Sequence, residues 1–287
     1  MPTFETPAPI SVFIDITVGD VEIRASERTD TVVEVRPSTG SEASVRSAEE
    51  TKVDCRGGKL EIRGPRPRRR FFGKQKNVET TCDESVHVTI ALPVGSTVRG
   101  EAALGHVDGQ GRLGAFRFVS GSGDIRLEEA AGVRLEAGLG NVTVRRVVGD
   151  VDVTVAQGKL RIADIDGSAT IENLSGVTKI GHVSGGLTLK AANGDVSVGR
   201  ADGDIKVNNA NGDIQVSEVV RGSVSLETAH GSVEVGVREG SAAHVDAHAM
   251  VGGLRNDLNT VDGPGAGDET VRLRLRTLVG QIDIHRS

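Results

Sequence analysis

The sequence predicts an all-β chain wound as a parallel β-helix or solenoid, with two short strands and about 18 residues per coil. Three observations carry that prediction. First, glycines recur on a beat of about nine residues from Gly105 to Gly240, through Gly149, Gly158, Gly167, Gly176, Gly185, Gly194, Gly203 and Gly212. Repetition this regular is the signature of a repeat architecture. Second, the apolar positions in most units are the second, fourth and seventh after the glycine: Leu160, Ile162 and Ile165; Ile205, Val207 and Ala210; Ile214, Val216 and Val219. The first two of each set are two apart and share one face of a strand, so these point inward while Arg161, Lys206 and Gln215 face water. Third, the seventh residue after the glycine alternates in kind. One series is Ala156, Leu174, Ala192, Ala210 and Ala229; the other is Val147, Ile165, Val183, Ala201 and Val219. Alternate units are therefore inequivalent, and the true repeat is a pair of them. An antiparallel meander has a similar beat but needs no such alternation.

Composition fits a thin core. Aromatic residues are 2% of the chain, with no Trp and no Tyr, against 38 glycines and 37% hydrophobic residues. Val, Ile, Leu and Ala must fill the interior while the glycines make turns. Asn193, Asp202, Asn211, Asp166 and Ser175 precede turn glycines and supply turn chemistry.

Residues 1–103 read as an irregular β segment, either an amino-terminal cap or the start of the solenoid. "SVFIDITVGDVEIRA" and "TVVEVRPS" alternate like strands, a hairpin is expected at Gly57-Gly58, and "SVHVTIALPVGSTVRG" supplies a further pair. Residues 104–250 form the regular solenoid. Residues 251–287 read as a loop followed by a closing strand pair, "TVRLRLRTLVGQIDIHR". Caps are expected because the open end of a solenoid exposes unpaired backbone.

The net charge of −6 gives no general attraction to polyanions, and nucleic acid is not expected as a partner. The amino terminus has no basic start and no unbroken apolar run, and no 18-residue apolar stretch occurs. A cytoplasmic protein without a transmembrane segment is expected, as a monomer or small homo-oligomer. Cys55 and Cys82 then read as free thiols, with a disulfide between them as the alternative. No cofactor is expected.

Several chemistries can be weighed against the residues. Asp124, Asp195, Asp204 and Asp213 directly follow turn glycines, and Gly-Asp repeats resemble the calcium-binding β-roll. That motif places its aspartate two residues after the glycine. Lys159 and Val177 at the same position as these aspartates break any calcium ladder, so the acids read as solvated turn residues. Asp150, Asp152, Asp164 and Asp166, with Asp195 and Asp213, supply carboxylates for a polysaccharide-cleaving enzyme, but its aromatic platforms are missing. His244, Asp246 and His248 alternate on one strand face and are weak metal candidates. The two histidines would lie about 13 Å apart, too far for one ion. No P-loop, nucleotide fingerprint, CxxC pair or G-x-S-x-G elbow occurs, so no catalytic residue is assigned. "PRPRRRFFGKQK" gathers Arg66, Arg68, Arg69, Arg70, Phe71, Phe72, Lys74 and Lys76. It is the candidate contact for an anionic partner, with a solvated loop as the alternative.

The repeated "GDIxV" and "GDVxV" units, "VGGLRNDL" and the terminal "LVGQIDIHRS" resemble a bacterial β-strand-repeat family of unknown function with an adhesin label, the Toastrack domain. The resemblance runs over nearly the whole chain. It implies a right-handed β-helix, offers no catalytic residues, and places some members beside envelope-stress membrane proteins. The chain therefore reads as a non-enzymatic interaction scaffold for an unknown protein partner or an anionic membrane surface. The alternatives are an exported adhesin or carbohydrate-binding protein and, third, a polysaccharide-active enzyme.

Overall fold

The structure, a computed structural model, describes residues 2–65, 84–258 and 269–287. Arg66 to Lys76 and Cys82 lie outside the described residues. The protein is nearly all β, with 71% strand and 4% helix. The chain divides into two units, residues 1–131 with 135–140, and residues 132–134 with 141–287.

The first unit holds β1 (Thr3–Glu5), β2 (Ser11–Ser26), β3 (Asp30–Pro37), α1 (Glu42–Glu50), β4 (Lys52–Arg56), β5 (Lys59–Arg63), β6 (Val86–Pro93), β7 (Thr97–Leu104), β8 (Val107–Ser122) and most of β9 (Ile125–Leu139). β2 makes a whole coil. Its first half pairs in parallel with β5 and β7, its second half with β6 and β8. Val12, Ile14 and Ile16 are buried before the bend, and Val21 and Ile23 after it, so the inward phase switches from even to odd. The switch falls at Gly19, where a Cβ would lie 2.4 Å from the Val86 carbonyl oxygen.

This unit is covered at one end by antiparallel strands. β3 lies on β6, β4 on β5 and β1 on β3. They occupy ladder positions that a parallel coil would otherwise leave open. The β4–β5 hairpin turns at Gly57 and Gly58, with φ of +55° and +73°, as Gly-Gly predicts. α1 is a finding the sequence does not announce, because its segment has no wide apolar stripe. Ser41 caps it, accepting from the Ser44 N–H at 3.1 Å. β8 and β9 also run on through Gly114 and Gly132, where the beat predicts turns.

The second unit continues with β10 (Val142–Val147), β11 (Val151–Gln157), β12 (Leu160–Ile165), β13 (Ala169–Ser175), β14 (Thr178–Val183), β15 (Leu187–Asn193), β16 (Val196–Ala201) and β17 (Ile205–Asn211). Then follow β18 (Ile214–Val219), β19 (Gly222–His230), β20 (Val233–Val237), β21 (Ala242–Val251), β22 (Leu254–Asn256), β23 (Thr270–Val279) and β24 (Ile282–Arg286). Val142 pairs with Leu160 and Leu160 with Thr178, all in parallel, while Val151 pairs with Ala169 and Ala169 with Leu187. Each strand thus pairs with the next but one, which is the predicted two-strand coil. Even-numbered strands form one face and odd-numbered strands the other, with aliphatic columns between.

The seventh position needs correction in one series. On the even strands Val147, Ile165, Val183, Ala201 and Val219 are buried as expected. On the odd strands Leu174 is 55% exposed, and the sixth residue (Val155, Asn173, Asn209 or Thr228) is buried instead. The even strands break phase before their last residue; the odd strands keep strict alternation. Buried Asn209 meets the need at its corner by donating to the carbonyls of Gly194 at 3.0 Å and Gly212 at 3.1 Å.

Coils stack closely at one glycine corner. A Cβ on Gly176 would lie 1.9 Å from the Gly158 carbonyl oxygen, and one on Gly194 2.2 Å from that of Gly176. No side chain fits there. At the carboxyl end β23 pairs with β19 on one side and β21 on the other, and β24 sits between β20 and β22. The expected closing pair is therefore an interior coil, and the outermost described coil is residues 242–256.

Candidate functional site

The acidic turns are committed to the fold. Asp195 accepts the backbone N–H of Asp213 at 3.1 Å, and Asp213 that of Ser232 at 2.7 Å. Asp204 serves Ser223, Asp150 serves Ser168 and Asn141 serves Lys159 in the same way. Each short acceptor caps its equivalent in the next coil, which explains why Asp or Asn follows the glycine. Asp152 faces Arg134 at 3.5 Å, and Asp166 accepts the Ser184 hydroxyl at 3.1 Å. Among the described residues no three His, Cys, Asp or Glu side chains gather into a group that could hold a metal ion.

The outward side of the even strands carries an ion-pair ladder along the stack. His182 meets Asp164 through Nδ1 at 2.9 Å and Asp202 through Nε2 at 3.0 Å. Arg146 stands 3.6 Å from Asp164, and Arg200 bonds Asp202 at 2.8 Å and approaches Glu218 at 3.4 Å. Hydrogen bonds to Asp164 and then Asp202 raise the pKa of His182 above its ordinary value. Burial pushes the Asp202 carboxyl up, but the hydrogen bonds from His182 and Arg200 outweigh it and hold it below the usual range. With a carboxylate on each ring nitrogen, His182 has no free nitrogen to take a nucleophile's proton. The arrangement clamps three coils together.

The outward side of the odd strands differs. Ser168, Thr170, Thr188, Lys206 and Ser225, with Gly186, line a shallow open groove of about 440 Å³. It exists because small side chains leave the sheet thinly covered. Beside it, β23 carries Arg272, Arg274 and Arg276, all outward and exposed. They stand in register with Ser223, Ser225 and Glu227 of β19, and with His244, Asp246 and His248 of β21. Arg274 lies 3.7 Å from Asp246; Arg272 and Arg276 form no ion pair with a described residue.

His244, Asp246 and His248 do share an outward strand face, and the arginines opposite them disfavour a cation there. Arg66, Arg68, Arg69, Arg70, Phe71, Phe72, Lys74 and Lys76 lie outside the described residues. The arginine row escapes sequence reasoning although its signal, the alternation in "TVRLRLRT", is plain. Only the register of β23 on β19 sets it beside the hydroxyl-lined groove.

Parallel two-strand coils with glycine corners, bonded turn to turn, define a β-solenoid repeat protein. This chain belongs to the family described as Toastrack DUF4097, which its sequence matches over residues 11–264. It is similar to the solved structure of a "putative cell adhesion protein" from Clostridium sporogenes, 12% identical, with a TM-score of 0.22, covering 100% of this chain and 98% of that one. It is also similar to that of a "putative adhesin" from Bacteroides fragilis, 14% identical, with a TM-score of 0.28, covering 99% and 95%. No curated protein matches the chain.

Proposed function

We propose that this chain is a non-enzymatic binding scaffold, an adhesin-like module that presents the outward face of its odd strands to a partner. The observation that carries this reading is a contrast in commitment. The turn carboxylates and His182 are bonded between coils, whereas the hydroxyls and Lys206 of the groove face open solvent. A broad, shallow, polar groove suits an extended partner better than a small substrate, which needs a concave pocket. The two-sided clamp on His182 supports a structural role for that histidine.

Filling the groove tests the reading. The purified protein is screened on an array of glycans and extracellular proteins beside a Thr188→Phe, Ser225→Phe variant of verified melting temperature. Saturable binding to at least one ligand is expected, weakened about tenfold or more in the filled variant. Binding to nothing, or undiminished binding by the folded filled variant, overturns it.

A further inference from the structure

The arginine row is the longest run of like charges on one strand of the described second unit, and only Arg274 of the three has an ion pair with a described residue. Arg272, Arg274 and Arg276 alternate with the buried Val271, Leu273 and Leu275, so their outward direction is fixed by the core. Successive guanidinium stems rise about 6.6 Å apart on one strand. The carboxylates in register beside the row are Asp246 and Glu227, and the groove's own Asp204 is turned to the Ser223 N–H at 2.8 Å. Asp246 is 58% exposed, so its pairing with Arg274 is weak and readily exchanged. Arginine is the side chain suited to two-pronged recognition of carboxylates and of sulfate-like groups. The row opens directly onto hydroxyls, because Ser223 and Ser225 lie between it and Lys206.

The chemistry of the ligand follows from what is present and what is lacking. Neutral sugars are commonly held on aromatic platforms, and single-stranded nucleic acid by stacking on aromatic rings. The chain has no Trp or Tyr, and none of its Phe residues lies on β11, β13, β15, β17, β19, β21 or β23. Affinity on this face must come from charge and from hydroxyl hydrogen bonds. We infer that the Arg272–Arg274–Arg276 row and the adjoining groove form a track for a linear acidic polysaccharide. Its carboxylates or sulfates lie on the guanidinium groups and its hydroxyls against Ser223, Ser225, Thr188 and Lys206. The inference rests on the binding-scaffold reading and names its partner.

The experiment titrates polygalacturonate, dextran sulfate, neutral dextran and single-stranded DNA against three proteins. These are the wild type, an Arg272→Gln, Arg274→Gln, Arg276→Gln variant, and the groove-filled variant, each checked by melting temperature. The wild type binds one or both acidic polymers in a salt-sensitive way, and neutral dextran and DNA more weakly. The arginine variant loses about tenfold or more of that affinity while melting like the wild type. Polygalacturonate against dextran sulfate tells carboxylate from sulfate recognition. Three results overturn the inference: no acidic polymer bound, neutral dextran or DNA bound as well or better, or full affinity in the arginine variant. If the groove-filled variant loses a ligand that the arginine variant keeps, the inference fails and the scaffold reading stands. If neither variant loses anything, both fail.

Discussion

The two outward faces of the second unit share a backbone plan and differ in what their charges do. On the even strands, Asp164, His182, Asp202, Arg200 and Glu218 are linked along the stack. On the odd strands, Ser and Thr dominate around the groove, Lys190 pairs with Glu172, and β23 carries three arginines in a row. A parallel solenoid places equivalent residues about 4.8 Å apart, so a charge in one column is stabilised when its opposite stands in or beside the next coil. On the even face the His182 column is linked through Asp164, Asp202 and Glu218, although Arg161 and Lys179 stack in register as like charges beside it. The odd face keeps three like charges in line along one strand, and among the described residues only Arg274 has an ion pair, to Asp246.

The largest effect breaks what both faces share. Ile214 is fully buried, and Ile214→Asp should destabilise the protein by about 4 kcal/mol or more, read by denaturant titration. A wild-type midpoint would mean that the inward column is misassigned. Next comes the glycine corner. Gly176 has φ of +136° and no room for a Cβ, so Gly176→Val should cost about 3 kcal/mol, measured the same way.

The ladder gives a smaller, pH-dependent effect that separates the faces. His182 is 36% exposed, so after screening its removal in His182→Ala should cost only about 1 kcal/mol. Its raised pKa makes that contribution complete below the ordinary value of 6.5 and lost as pH rises through the raised folded value. The lowered pKa of Asp202 makes its share complete above the ordinary 3.8 and lost as pH falls through the lowered folded value. The melting-temperature gap between wild type and His182→Ala should therefore be widest in mildly acidic buffer and close toward alkaline pH. A gap constant from pH 5 to pH 9, on the order of that whole window, would remove the ladder's electrostatic role. The smallest effect belongs to the odd face: Arg272→Gln and Arg276→Gln should each change stability by less than about 0.5 kcal/mol. A larger loss would show these arginines to be structural after all.

Much of this fold is legible because its periodicity is short and local. The beat of glycines, the inward Leu160 and Ile162, and the Gly57-Gly58 hairpin all follow from rules that act within one strand or turn. What was not legible depends on distant pairing. Asn173 and Asn209 are buried at corners where the pattern favours the alanine or leucine one residue later, since the corner carbonyls they serve come from other turns. The groove and the arginine row are no motif in the sequence. They arise only when β23 is laid against β19, a register set by side-chain columns from segments more than forty residues apart.

That same placement of β23 and β24 separates the order of synthesis from the order of assembly. Within the second unit, coils up to β20 can add one upon another as they leave the ribosome, each finding its neighbour already formed. Residues 242–256 emerge before residues 270–286, yet their native place is on top of them. During that interval the free ladder on offer is that of β19 and β20, which is reserved for a segment still being translated. The nascent chain must leave that ladder vacant or occupy it provisionally and then exchange strands. Growth of the second unit is vectorial up to β20 and ends with an insertion.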